Sequence, residues 1–150
     1  MTDILRLPKK TMFALDAVLD VAYNARPDPV QSKDITARQG IPPRYLEQAM
    51  QQLVRAGILK GVRGPRGGYT LARERRRITV ADIVRVISAD EEGDDDVGSD
   101  LGHKVVRPLW SEVQLEIVDR LSEITLEDLC RRAEQAEVPK AAGDMRDFTI

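Results

Sequence analysis

The feature that most constrains this chain is a glycine-rich tip, Gly64-Pro65-Arg66-Gly67-Gly68, set between two short extended runs at 58–63 and 69–72. Glycines supply the positive φ values such a tip needs and Pro65 stiffens it, so the segment reads as a compact basic hairpin. Ahead of it, Met12, Leu15, Leu19 and Ala22 recur at helical spacing over residues 9–25, with Phe13, Val18 and Val21 widening the apolar face. Pro27 and Pro29 end that helix. Ser32 is placed to cap a short helix over 33–39, which Gly40 closes in the left-handed conformation. Ile41-Pro42-Pro43 forms the turn, Pro43 suits the first position of the next helix, and that helix runs to about Ala56 with Leu46, Met50 and Leu53 inward and Gly57 as its stop. Two helices joined by a short glycine-containing turn and followed by a hairpin predict a mainly α fold, a winged helix-turn-helix with a small β-hairpin wing.

Downstream, Thr79 opens a fourth helix with Asp82 as its capping-box partner, and Val80, Ile83, Val84 and Ile87 pack back onto the domain. Residues 90–103 break all periodicity; seven of the fourteen are acidic and three are glycine, the composition of an exposed mobile loop. A long helix is expected over 104–122, with Val106, Leu109, Val113, Ile117 and Leu121 along one stripe and Trp110 beside it. Thr125, with Asp128, caps a last helix over 126–137, and the tail after Pro139 reads as frayed. The predicted organisation is therefore a DNA-binding type domain at 1–89, an acidic loop at 90–103, dimerisation helices at 104–138 and a flexible tail at 139–150. The stripe is assigned to dimerisation because it lies outside the compact domain and needs a partner surface; the alternative is that it folds back onto its own chain.

Charge divides the chain in the same place. Residues 1–87 carry 16 Lys and Arg against 8 Asp and Glu, whereas residues 88–150 carry 7 against 17. A basic half that meets a polyanion explains this split, and two merely well-solvated surfaces are the plain alternative. One cysteine, Cys130, excludes an internal disulfide framework and fits a reducing compartment. The start lacks a signal peptide's apolar run, and no stretch approaches the ~20 apolar residues of a membrane span, so a cytoplasmic protein without membrane partners is expected. One histidine and one cysteine support no catalytic triad or zinc-ligand spacing, so no enzyme is expected. The wing glycines lack the Lys-Ser/Thr of a phosphate-binding P-loop.

Base reading requires side chains near the start of a helix that enters the major groove, and phosphate contacts require cations or amides on exposed elements. Pro43, Arg44, Tyr45, Glu47 and Gln48 are in range for the first: Arg44 suits guanine, Glu47 the cytosine amino group and Gln48 adenine, while Tyr45 can instead bond phosphate. Arg63 and Arg66 can reach phosphate or the minor groove from the wing, and Lys9, Lys10 and Thr11 can clamp the backbone at the first helix start. Arg73, Arg75, Arg76 and Arg77 are either further contacts or a solvated strand-end loop.

Residues 6–136 resemble the Rrf2 family of bacterial regulators, whose best-known members are iron–sulfur cluster regulators. The resemblance is carried by Ala14-Leu15-Asp16-Ala17, Tyr45-Leu46-Glu47-Gln48 and Leu53-Val54-Arg55-Ala56-Gly57, and most specifically by the run from Val62 through Gly64-Pro65-Arg66-Gly67-Gly68-Tyr69 to Ala72. Ile78-Thr79-Val80-Ala81-Asp82-Ile83, Pro108-Leu109-Trp110 and Ile124-Thr125-Leu126-Glu127-Asp128-Leu129 continue it. It implies a homodimer that regulates transcription from a palindromic double-stranded DNA operator, with iron–sulfur or iron homeostasis genes as targets and RNA polymerase as a further partner. The cluster-binding members hold a [2Fe-2S] centre through three cysteines and a nearby histidine before the dimerisation helix. Here Glu92, Gly98 and Lys104 stand near the thiolate positions and Arg107 near the histidine. No usual metal site and no cofactor is expected; the alternative is an atypically ligated [2Fe-2S] cluster using His103 or Cys130, whose plainer roles are a helix-start surface residue and a packing residue. Three functions follow: an iron–sulfur or iron regulator, a cofactor-free regulator answering a metabolite or partner in cysteine or redox metabolism, and a protein-interaction module that no longer binds DNA.

Overall fold

A computed structural model describes residues 4–25, 28–89 and 98–141. The elements in chain order are α1 (Lys9–Asn24), α2 (Ser32–Gln39), α3 (Pro43–Arg55), β1 (Leu59–Val62), β2 (Gly68–Leu71), a 3-10 turn (Arg75–Arg77), α4 (Val80–Ser88), a π turn (Gly102–Val106), α5 (Arg107–Leu121) and α6 (Leu126–Gln135). This is the mainly helical, winged architecture the sequence predicts. Pro43 begins α3, and Gly40 turns the chain between α2 and α3 at φ 65° and ψ 27°.

The core gathers Ile35 from α2, Leu46, Met50 and Leu53 from α3, Ile58 and Leu59 at the wing base, and Ile83 and Ile87 from α4 around α1. The face that α1 turns inward is Ala14, Ala17, Val18 and Val21, all fully buried, while Met12 points to solvent and Leu15 and Leu19 sit at the edge. The expected stripe through Met12 is thus rotated. Small side chains let α1 lie centrally, in contact with α2, α3, α4 and α6, where larger ones would hold the helices apart. Ser32 is the first residue of α2 rather than its cap; Gln31 occupies the cap without a side-chain hydrogen bond.

β1 and β2 pair antiparallel with Leu59 opposite Leu71 and Val62 opposite Gly68. Val30 adds a third, one-residue rung on β2, through Val30 N–H to the Tyr69 carbonyl at 3.0 Å and Tyr69 N–H to the Val30 carbonyl at 2.8 Å. That rung explains Gly68, because a Cβ there would come within 2.3 Å of the Val30 carbonyl oxygen.

α6, expected among the dimerisation helices, packs on the compact unit through its apolar face. Leu126 and Cys130 are buried in the main core, and Thr79 and Thr125 form a bridge with Val80 N–H to the Ile124 carbonyl at 2.8 Å and Leu126 N–H to the Ile78 carbonyl at 2.9 Å. The two helix starts so joined carry matching capping boxes, Thr79 with Asp82 and Thr125 with Asp128. Helical structure before α5 begins at Asp100, four residues earlier than expected, with the Ser99 hydroxyl accepting from Gly102 N–H at 3.2 Å. The part of the acidic loop at 90–97 and the tail at 142–150 lie outside the described residues, as does Pro27. Of the tail, the stretch to Ala141 is docked rather than frayed. Tyr23 donates to the Val138 carbonyl, and Ala141 N–H donates to Asn24 Oδ1 at 2.9 Å.

Candidate nucleic-acid interface

α3 buries Leu46, Ala49, Met50 and Leu53 and leaves Arg44, Glu47, Gln48, Gln51 and Arg55 exposed. Spacings of three and four put these exposed side chains on one face of the helix. Pro43 is exposed at the start of the row, and Tyr45 is half-buried beside it. Gln51 extends the row by one turn beyond the residues the sequence singled out; the heptad-like continuation from Arg44 and Gln48 was the signal for it.

The seating of the end of α2 on α1 is set by a buried carboxylate. Asp20 is 2% exposed, yet both its oxygens are taken up: Arg38 Nε donates to Oδ2 at 2.9 Å and Nη2 to Oδ1 at 2.8 Å, and Gln39 Nε2 donates to Oδ2 at 2.8 Å. A two-pronged guanidinium contact fixes orientation as well as distance. It therefore locks the end of α2 onto α1 immediately before the Gly40 turn that launches α3. Hydrogen bonding to Asp20 raises the Arg38 guanidinium above its ordinary value, so Arg38 keeps its charge against the carboxylate.

In the wing, Gly67 N–H donates to the Gly64 carbonyl at 2.9 Å, and Gly64 itself has φ 112°. A Cβ on Gly67 would lie 2.2 Å from the Val62 carbonyl, so the tip requires glycine there. Arg63 and Arg66 project from this tip and are exposed. An open groove of about 470 Å³ separates the wing from the start of α2, lined among others by Gln31, Ser32, Arg63 and Pro65.

The remaining candidates divide. Lys9 is exposed and Lys10 half-buried at the start of α1, but Thr11 is wholly buried and its hydroxyl has no hydrogen-bond partner among the described residues. The first turn of α1 directs Thr11 into the core, so it leaves the set of backbone clamps. Arg75 is committed to the fold through Glu127, with Nε to Oε2 at 2.7 Å, and Arg76 pairs with Glu74. Arg73 and Arg77 are exposed.

The expected dimerisation stripe lies on a helix with no buried residue. Val106 and Leu109 are about 60% exposed, Ile117 is 40% exposed, and Val113 and Leu121 are half-buried. Val105, Trp110 and Leu115 are also exposed, so apolar surface reaches beyond a single stripe.

The metal candidates are far apart in kind. Cys130 is 1% exposed in the core, and burial pushes its thiol up, partly offset by the Arg75 guanidinium beside it. A thiol held protonated in a core is a packing group and a poor ligand. His103 is exposed on the π turn. Near it, the Arg107 guanidinium lies over Gly98 and Gly102, so a Cβ at either would be within 2.8 Å of Nη1. Among the described residues no group of three His, Cys, Asp or Glu side chains could hold a metal, and no helix is long and apolar enough to cross a membrane.

Comparison with known proteins agrees with this geometry. Residues 7–132 match the model of the Rrf2 family, described as an iron-dependent transcriptional regulator. The HTH-type transcriptional regulator IscR of Xenorhabdus nematophila is 38% identical over 141 residues, covering 89% of this chain and 84% of the relative. The regulator of the same name from Vibrio cholerae is 36% identical over 138 residues, covering 89% and 80%. Among solved structures, T. potens IscR superimposes with a TM-score of 0.74 at 37% identity, covering 93% of this chain and 96% of that one. CymR, the global cysteine regulator of B. subtilis, gives 0.69 at 29% identity over 86% and 98%.

Proposed function

The chain belongs to the Rrf2 family of winged-helix transcriptional regulators, and from that premise we propose that it acts as a cytoplasmic homodimer on a palindromic operator, controlling iron–sulfur cluster or iron homeostasis genes through the access of RNA polymerase. The observation that carries this reading is the pairing of an exposed polar row on α3 with two exposed arginines on a glycine-built wing, both in the basic half of the chain. Arg44, Glu47 and Gln48, behind Pro43, address base edges from the helix start, Arg63 and Arg66 engage phosphate or the minor groove, and Lys9 and Lys10 clamp the backbone. The face made by Val106 at the end of the π turn and by Leu109, Val113, Ile117 and Leu121 of α5 pairs with its copy, setting two recognition helices for two half-sites.

A [2Fe-2S] cluster of the ordinary kind does not fit the side chains present. Such a centre needs several thiolates, the chain has one thiol, and that thiol is a core residue of α6. Arg107, which has no lone pair to give, crowds Gly98, where a thiolate would be expected from the resemblance. The same observation favours a second reading, a cofactor-free regulator that answers a metabolite or partner. The open pocket of about 520 Å³ lined by Leu101, Val106 and Trp110 offers apolar walls suited to a small molecule rather than to iron. An ultraviolet–visible spectrum with iron and sulfide assays on anaerobically purified protein separates the two: a cluster lost on His103→Ala would sink the cofactor-free reading.

Operator binding is tested by salt titration and by two substitutions. Each phosphate contact lowers the logarithm of affinity by about 0.9 per logarithm of salt, so a steep slope is expected and Arg63→Ala should reduce it by about one contact. Glu47 repels phosphate, so Glu47→Ala should relax sequence preference by about 1–3 kcal/mol at one base pair with little loss of overall affinity. Equal losses on operator and scrambled duplexes would remove the base-reading role.

A further inference from the structure

The first turn of α3 brings together two side chains of its own and one from α1. The Tyr45 ring is half-buried and meets the Phe13 ring with centroids 5.7 Å apart and planes tilted by 43°. The Arg44 guanidinium carbon stands 5.2 Å from the centroid of the same Tyr45 ring. Arg44 is otherwise exposed, at the end of the helix from which base edges are read.

An exposed arginine ordinarily samples many rotamers, and fixing one of them on binding lowers affinity. To read guanine, the planar fork must meet O6 and N7 together, which narrows the acceptable geometries further. An aromatic face beneath a guanidinium restricts it before DNA arrives, and the ring supplies that attraction whether or not it carries a hydroxyl. The ring is itself immobilised by Phe13, which belongs to the central helix of the core.

We propose that Tyr45 is a positioning residue whose ring, braced by Phe13, holds the Arg44 guanidinium ready for a guanine, so that preference at one base pair of each half-site depends on the ring and not on the phenolic hydroxyl. This rests on the DNA-reading function above and names the specificity residue within it. It replaces the expectation that the Tyr45 hydroxyl bonds phosphate.

The test uses the full-length protein and the duplex it selects from a randomised library, with binding followed by fluorescence anisotropy. Each guanine of the selected half-site is changed in turn to adenine or to 7-deazaguanine, which lacks the N7 acceptor. Wild type should lose about tenfold or more at one guanine on either change, and Arg44→Ala should abolish that discrimination alone. Tyr45→Phe should keep it. Tyr45→Leu should erode it several-fold at the same guanine and nowhere else, with no additional effect when combined with Arg44→Ala.

Three results would overturn the proposal: Tyr45→Phe losing affinity on every duplex alike, Tyr45→Leu weakening all positions equally, or Arg44→Ala leaving every preference intact. Should Tyr45→Leu fail to fold, Phe13→Leu, a milder removal of the brace, is read in its place with the same expected pattern. Wild type selecting no motif at all would instead overturn the DNA-reading function, and this proposal with it, which keeps the two failures distinct.

Discussion

Two helices of the C-terminal half carry comparable apolar sequence and have opposite fates. α6 places Leu126 and Cys130 in the core shared by α1, α3 and α4, whereas α5, immediately before it, has no buried residue. Leu126 is fully buried and Leu109 is 59% exposed. The difference shows that an apolar stripe specifies burial without specifying against what. α6 is tied to its own chain by the Thr79–Thr125 bridge and by Arg75–Glu127, which seat it before its apolar face is considered. α5 instead runs on from the π turn and touches the compact unit through α4. Apolar surface of that extent on a described helix is what the proposed homodimer would cover, a two-fold copy of the same helix serving both chains.

The largest expected effect breaks α5 and spares the compact unit. Leu109→Asp puts a carboxylate in the proposed seam, where it would be desolvated without a partner. Sedimentation should show monomers, and operator affinity should fall by about 100-fold or more as the two half-sites cease to be engaged together. Circular dichroism should show helix content close to that of wild type, because Leu109 contributes little to its own chain's core. A dimer that survives Leu109→Asp would mean that the seam lies elsewhere.

A smaller effect, opposite in kind, comes from the pair that holds the helix-turn-helix to α1. Arg38→Ala leaves the Asp20 carboxylate buried with only Gln39 to satisfy it, whereas Asp20→Ala frees an arginine whose side chain is already 30% exposed. Removing one partner of a buried pair costs about 3–5 kcal/mol when the other stays buried, so Arg38→Ala should approach the lower end of that range. Asp20→Ala should cost less, since Arg38 can turn to water. Urea unfolding of the two variants measures this asymmetry, and equal losses would contradict it.

This pair also marks where sequence reading ends. Gly40, Pro43, the wing glycines and both Thr–Asp capping boxes were legible because each residue type answers a local backbone requirement. Asp20 was not, because an acid inside an apolar helical run looks like a solvent-facing position until its partner on α2 is known. Val30 escaped for a related reason: a one-residue rung has no periodicity, and only the missing space at Gly68 reveals it. The face of α1 was misjudged because large residues drew attention to Met12 while alanines made the contacts. Among the candidate DNA contacts, exposure separates Arg44, Glu47, Gln48, Arg63 and Arg66 from the buried Thr11. Thr11 lacks the Asp three residues on that marks Thr79 and Thr125 as caps, and a threonine without that partner can face phosphate or core alike.

The smallest effect sharpens the assignment of α6 to the compact unit. Asp128 accepts from the Thr125 backbone N–H at 3.0 Å, and this bond, with the Thr125 hydroxyl next in weight, holds its carboxyl below the ordinary value of 3.8. A carboxylate whose folded pKa lies below its unfolded one adds stability in full above the unfolded value. That contribution disappears as pH falls through the lower, folded value. Asp128→Asn should therefore lower Tm modestly at pH 6, and the gap from wild type should narrow below pH 4 as the native carboxylate takes up its proton. If α6 instead belonged to a detachable dimerisation segment, its cap would not be coupled to the unfolding of the winged domain. The gap would then be absent from the main transition at every pH. Thermal unfolding of wild type and Asp128→Asn, followed at several pH values in the Leu109→Asp background, isolates the effect in a single chain.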